Sequence, residues 1–325
     1  MRLSRSQAAK INDLVRRDAD SKSFSDNIKW IAVMARQMAR ERPVSLASCF
    51  KTPRISIIAG ELVSHSDCDI TPESLEGALS SFDACQGLNM DEIWLFPRAV
   101  SIELIKAFAQ TASRVIDDRR EVREAVRWVE GGRDMSKLKG HSDAFYEKAL
   151  KILAEKGSAG ELESLEAWLD DRRGAGKAVQ SAQRRRSRDA IILSNAVSSL
   201  RRISQTDWKD RYNKLCRAEK NLMRDDIYAN GDDNSKAAVR RQVARLSRMT
   251  GLGEWTVARN AVEMAGEAIL SDVEKRERDG EAEHPEAPAV APSHTCTYWL
   301  CDPDGQDALI RRLNGRTVPT LENPG

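Results

Sequence analysis

The chain has 325 residues, with 52 Lys or Arg against 50 Asp or Glu, a formal net charge of +2, 31% charged residues and 5% aromatic. A balance so close to neutral gives no global electrostatic reason to expect nucleic acid as a partner, and the charged, aromatic-poor composition is that of a solvated helical protein rather than a β-sandwich. No uninterrupted apolar run approaches the ~20 residues that span a bilayer. The basic start, MRLSRSQAAKINDLVRRDAD, lacks the apolar stretch of a secretory signal, so a soluble, cytoplasmic chain is expected.

Residues 1–54 hold 12 basic residues against 5 acidic ones and predict one or two amphipathic helices, the clearer over Asp26–Glu41. Ile55–His65 is apolar enough to be buried. Thr71 then reads as an N-cap with Pro72 at the first helical position, ahead of the stripe Leu75, Ala78, Leu79, Phe82. Asn89 can cap the next helix, with Glu92 as its capping-box partner. Ile93, Trp94, Val100, Leu104 and Phe108 keep a helical rhythm across Pro97, which predicts a kinked or broken helix with Trp94 and Phe96 wedged at the bend. A short helix over Glu121–Val129 should stop at Gly131-Gly132.

From 141 to 278 nearly everything reads as helix. Ser142 caps one that Gly157 stops, and Leu162, Leu165 and Leu169 mark one that Gly174 stops. Lys177–Ile203 is long. Ser204 and Asp207 open a helix with Trp208, Tyr212 and Leu215. NGDDNS is a loop, Val239, Val243 and Leu246 precede a stop at Gly251, and Trp255 to Ala265 build the last helix. Residues 271–293 turn acidic, then rich in Pro and Ala, and read as a linker. HTCTYWLCDPDGQDALIRRL reads as a short strand, a turn at Asp304-Gly305 and a final helix. The expected architecture is all-α, an irregular multi-helix array with a C-terminal strand-turn-helix piece. Its divisions are 1–53, 54–132, 141–278, a linker over 279–293 and a tail over 294–325.

Chemistry-bearing residues are sparse. His65, Asp67, Cys68 and Asp69 lie close together and could serve a metal, although a helix C-terminus followed by an acidic turn is the favoured reading. His294, Cys296 and Cys301 offer three ligands where zinc usually takes four, and a strand with buried thiols is favoured. Arg184, Arg185, Arg186 and Arg188 could meet phosphate, an acidic partner or an anionic membrane, but a solvated helix face is the better expectation. The six cysteines, 49, 68, 85, 216, 296 and 301, form no CxxC pair and read as free, packed thiols. No nucleotide loop, metalloprotease motif or nucleophile elbow is present, the four histidines are scattered, and neither a catalytic residue nor a cofactor is expected.

Two long stretches carry a resemblance. ISIIAGELVSHSDCDITPESLEGALSSFDACQGLNMDEIWLFPRAVSIELIKAFAQTASRV resembles a segment of the cyclic β-1,2-glucan synthase family, in which a helix ending in a His-Ser/Thr-Asp turn precedes L…EALxxFxxAYQ and then PLTxGELWAxPxMLRxALIExL. Glu92-Ile93-Trp94, Pro97 and Ile102–Leu104 fall in register. AIILSNAVSSLRRISQTDWKDRYNKL and its continuation to Ala265 are similar to a second segment, through Asn195, Ser199-Leu200-Arg201, Asp207-Trp208, Tyr228, Arg240, Gly251-Leu252 and Val257-Ala258. HTCTYWLCDPDGQDALIRRLNGR looks like a third. Together they cover about two-thirds of the chain, in order.

The resemblance implies the N-terminal cytosolic region of a very large membrane protein. In that family such a region precedes membrane spans, a UDP-glucose-dependent glucosyltransferase domain and a C-terminal glycoside-phosphorylase-like domain. The chain has no glutamine-x-x-arginine-tryptophan motif, and it departs from the family pattern at Ala84-Cys85 and at GDDNSKA, as a truncated or diverged member would. What is implied is a non-catalytic accessory or scaffold region, without cofactor, metal or nucleic acid, acting on the catalytic or membrane parts of a glucan synthase in cis or in trans. It would lie in the cytoplasm or at the inner face of the membrane. Trp94, Pro97, Asn195, Arg201 and Trp208 are the candidate packing or contact residues. A free-standing helical adaptor for a protein partner or an anionic surface is the alternative.

Overall fold

The computed structural model describes residues 3–17, 22–40, 48–49, 52–172, 174–279 and 291–315. They form an all-α array, apart from a two-residue antiparallel pairing of Ser48 with Pro53 and Cys49 with Thr52. The chain divides into two compact units, one of residues 1–74 and 96–206, the other of residues 75–95 and 207–325.

In the first unit, α1 (Arg5–Arg17) begins at a reciprocal cap: the Gln7 amide donates to Ser4 Oγ at 3.1 Å and the Ser4 amide to Gln7 Oε1 at 2.9 Å. Its stripe of Ala8, Ile11 and Leu14 is buried, and α1 packs on α2 (Lys22–Arg40). α3 (Arg54–His65) buries Ile55, Ala59 and Val63. α4 (Pro72–Gln86), most of which belongs to the second unit, starts at the expected cap, the Ser74 amide donating to Thr71 Oγ1 at 3.2 Å.

α5 (Met90–Glu130) is the largest departure from expectation: one uninterrupted helix of 41 residues with Pro97 inside it. The segment Glu121–Val129 is its C-terminal end rather than a separate helix, and it stops where Gly131 and Gly132 follow. The proline removes a single backbone donor, while Phe96, Val100, Leu104, Ile105 and Phe108 are all buried on either side of it. Burial of that face outweighs one missing hydrogen bond. Trp94 is not wedged into a core; it is 50% exposed.

α6 (Asp143–Glu155), α7 (Ala159–Asp170) and α8 (Ala175–Gln205) complete this unit, with α6 and α7 both packed on α8. Phe145, Tyr146, Leu153, Leu165 and Leu169 build a core with Ala125 and Val129 of α5. Ser142 precedes α6 as expected but makes no side-chain cap bond; its amide donates to Glu121 Oε2 at 3.1 Å instead.

In the second unit, α9 (Trp208–Leu215) is capped by Asp207, whose carboxylate accepts from the Lys209 amide at 2.9 Å. Ser204 lies within α8 rather than opening α9. Short helices α10 (Arg217–Leu222) and α11 (Asp226–Asn230) follow. The expected loop NGDDNS shrinks to Gly231 and Asp232, because Asp232 caps α12 (Asp233–Thr250) by accepting from the Asn234 and Ser235 amides at 2.8 and 3.0 Å. Gly251 ends α12 in the left-handed conformation, φ 73°, as a C-terminal glycine stop does.

α13 (Glu254–Asp279) packs on α10 and α12 and extends through residues 271–279, which the sequence reading placed in a linker. The remainder of that linker, 280–290, lies outside the described residues. The expected C-terminal strand and turn are absent: HTCTYWLC supplies α14 (Cys296–Cys301), and Pro303 opens α15 (Pro303–Gly315). Among the described residues no helix is long and apolar enough to cross a membrane.

Candidate functional site

The turn SHSDCD does not gather a metal site. The His65 ring faces the Glu61 carbonyl at 2.8 Å and is largely exposed, Asp67 pairs with Arg188 at 3.3 Å, and Asp69 pairs with Arg202 at 2.5 Å. The carboxylates are thus met by α8 arginines. Cys68 is buried, and burial, reinforced by the Asp67 charge, pushes its thiol up to about 11, so it is neutral and a poor ligand at neutral pH.

These residues form a structural corner. Asp67 and Cys68 both adopt positive φ, 45° and 66°. Ser199 of α8 spans the corner: its hydroxyl donates to the Cys68 carbonyl and accepts from the Ile70 amide, both at 2.8 Å. Asn195 donates from Nδ2 to the Asp67 carbonyl at 3.0 Å. Two segments about 130 positions apart, each read separately as resembling one family, therefore meet through the residues that carry the resemblance. Arg201, two positions on, stands 5.6 Å from the centre of the Trp30 ring.

Three of the four arginines of the α8 cluster are likewise met by neighbours, while Arg184 is exposed. Arg185 pairs with Asp118 at 3.0 Å, Arg186 with Glu147, and Arg188 with Asp67. The C-terminal trio is also dispersed. His294 faces Asp272 at 2.8 Å, Cys296 is fully buried, and Cys301 is an exposed thiol, contrary to the packed thiol expected. The Cys296 amide donates to the Asp225 carboxylate at 2.5 Å. That carboxylate also caps α11 through the Ile227 and Tyr228 amides, so Asp225 ties α14 to the α10–α11 turn. No group of three or more ligating side chains able to hold a metal occurs among the described residues.

The second unit holds a polar centre that sequence reasoning missed. Glu219 of α10 is fully buried. It accepts from Arg240 Nε and Nη2 at 2.9 and 2.6 Å, and from the Tyr228 hydroxyl at 3.1 and 3.0 Å. Cys216 caps α10, its sulfur accepting from the Glu219 amide at 3.5 Å. Tyr212 hydrogen-bonds Cys216 and is raised above the ordinary tyrosine range, chiefly by burial; burial also pushes Cys216 up to about 11. Tyr228 and Arg240 belong to the second resembling stretch, so its positions again mark an internal joint. A buried Glu between Ala218 and Leu222 was the available signal, but its partners lie 9 and 21 positions away.

Above this centre lies a groove of about 590 Å³, formed within the second unit by Met90, Asp91, Trp94, Tyr212 and Glu254 together with the face of α12 that carries Ala237, Arg241, Ala244, Arg245 and Arg248. Its α5 wall is fixed by the expected capping box, the Asn89 amide donating to Glu92 Oε2 at 3.0 Å, and by Glu254, which accepts from the Met90 amide at 2.6 Å. Trp94 meets Tyr212 edge to face, ring centres 5.1 Å apart. Of the remaining candidate residues, Pro97 has its carbonyl bonded by the Ser101 hydroxyl at 2.9 Å, and Trp208, half-buried, opens α9.

A comparison with known proteins finds similarity to a glucan synthase. Over 250 residues, 72% of its length, the chain is 26% identical to the cyclic beta-(1,2)-glucan synthase NdvB of Rhizobium meliloti (strain 1021). The resemblance seen in the sequence is thereby borne out, and the chain spans about 9% of the length of that relative. No family model matches the chain.

Proposed function

We propose that the chain is a non-catalytic accessory or scaffold element of glucan biosynthesis, packing against the catalytic or membrane parts of a cyclic β-1,2-glucan synthase, in cis or in trans, on the cytoplasmic side. The observation that carries this reading is where the resembling positions fall. Asn195, Ser199, Tyr228 and Arg240 all serve internal joints, as expected of a region kept for its shape. Trp94, half exposed, is the candidate contact residue, Asn195 serves the corner, Pro97 sits inside α5, Arg201 lies over the Trp30 ring and Trp208 opens α9.

The test is deletion of the gene in the source cells, with cyclic β-1,2-glucan measured in cell extracts and the intact chain returned on a plasmid. A fall in glucan, restored by the chain, supports the reading. Unchanged glucan discards it. An immunoblot on soluble and membrane fractions separates the two modes: a very large membrane band indicates action in cis, a band near the 36.3 kDa of this chain action in trans.

A further inference from the structure

We propose that the groove between the start of α5 and α12 is a docking site for an acidic amphipathic helix of a partner protein. Arg241, Arg245 and Arg248 stand at i, i+4 and i+7, on one face of α12, and all three are exposed on the groove wall. Among the described residues none of them has a salt bridge; Arg245 donates only to Gln242 Oε1, at 3.3 Å. Elsewhere in this unit Arg211 pairs with Glu76, Arg259 with Glu263 and Arg312 with Glu267. Arg241, Arg245 and Arg248 thus present three guanidiniums without a salt bridge to one concavity, with Glu254 feeling the charge of Arg248.

The shape selects the occupant. Seven residues of helix place the outer arginines ~10 Å apart. One phosphate or carboxylate cannot bridge that distance, whereas carboxylates repeating on each turn of a facing helix can. Ala237 and Ala244 lie along the same face and leave room for a helix to approach. Trp94 supplies an apolar anchor, braced by Tyr212, while Arg240 beneath is held by Glu219. Trp, Tyr and Arg are the side chains that most often carry binding energy at interfaces. Asp91 of α5 and the Met90-bound Glu254 of α13 give the side of the groove facing α12 the opposite charge, so the acidic stripe must face α12, which fixes the orientation of the guest.

The proposal rests on the chain being a packing element, and its test reads the groove alone. A labelled synthetic helix with Glu at i, i+4 and i+7 and Leu alongside is titrated into the full chain by fluorescence anisotropy. Binding is expected in the micromolar range, weakening about tenfold or more from low to high salt. It should weaken by at least about tenfold in the triple variant Arg241→Ala, Arg245→Ala, Arg248→Ala, and similarly in Trp94→Ala. The same peptide with Gln for Glu should not bind. These arginines are exposed, and circular dichroism checks that the variants fold. Failure of the acidic peptide to bind, or equal affinity for the triple variant, overturns the proposal. Pyrophosphate binding in place of the peptide overturns it too, assigning the groove to a small phosphate ligand. A bound peptide with unchanged cellular glucan would discard the proposed function and leave the groove assignment standing.

Discussion

Glu219 holds the guanidinium of Arg240 through two hydrogen bonds, 2.6 and 2.9 Å long, with its own side chain 1% exposed. An ion pair on that footing contributes little net stability while intact, but removing one partner strands the other. Glu219→Ala should cost about 3 kcal/mol, read from urea denaturation at neutral pH. Tyr228→Phe, which removes one neutral donor to the same carboxylate, should cost about 1 kcal/mol. A Glu219→Ala cost below that of Tyr228→Phe would show that the pair does not hold this centre together.

Ser199→Ala leaves the Ile70 amide without its buried acceptor and the Cys68 carbonyl without its donor. The expected loss is about 2 kcal/mol. Hydrogen exchange localises it: the Ile70 amide should exchange much faster in the variant while amides of α12 keep their protection. Unchanged protection at Ile70 would contradict the bond to Ser199.

Glu254 lies between the α5 amide it accepts from and the acidic Asp91 and Glu92. Burial is the largest influence, and its carboxyl is raised above the ordinary 4.5. A group raised in the folded state binds its proton more tightly there than when unfolded. Its contribution to stability is complete below the unfolded value and is lost as pH rises through the folded one. Wild type should therefore gain on Glu254→Gln as pH falls from 7 toward 4, in paired denaturation curves. A gap that moves the other way would mean that the carboxylate, not the acid, is the favoured form.

Gly305 lies in the first turn of α15, where a Cβ would run into the Tyr298 carbonyl and come within 3.0 Å of the Trp299 Cα. Gly305→Ala should force α15 away from α14 and cost about 1–3 kcal/mol. Limited proteolysis should then cut within 296–313 sooner than in wild type. Equal cleavage rates would show that the two helices can separate at no cost.

Local hydrogen bonds were the most legible features. Thr71, Asp207 and the Asn89–Glu92 box are caps whose partners lie within three residues, and Gly251 is a stop that needs no partner. Errors arose where distant burial outweighed local preference. Pro97 suggests a break, but the apolar face around Phe96 and Phe108 keeps α5 whole. Thr297, Tyr298 and Trp299 favour a strand, yet Thr295 caps the segment as a helix by accepting from the Thr297 amide at 3.2 Å, and α14 buries Cys296 and Leu300. Glu219 escaped notice as a polar centre because its side-chain partners lie 9 and 21 positions away, and Ser199 because the corner it fastens lies 129 and 131 positions away; Ser199 was singled out only through the family resemblance.

The Ser199 bond to the Ile70 amide joins positions 129 apart. At synthesis rates of about 5–20 residues per second that separation corresponds to an interval on the order of ten seconds. Throughout it, the left-handed conformations of Asp67 and Cys68, which cost each L-residue ~1–2 kcal/mol, have no hydroxyl or amide from α8 to fasten them. On the ribosome the turn after α3 is therefore an open latch that closes only once Arg202 has left the exit tunnel. A nascent chain arrested before Asn195 emerges should be cut by protease between residues 66 and 70, and one arrested well beyond Gln205 should resist.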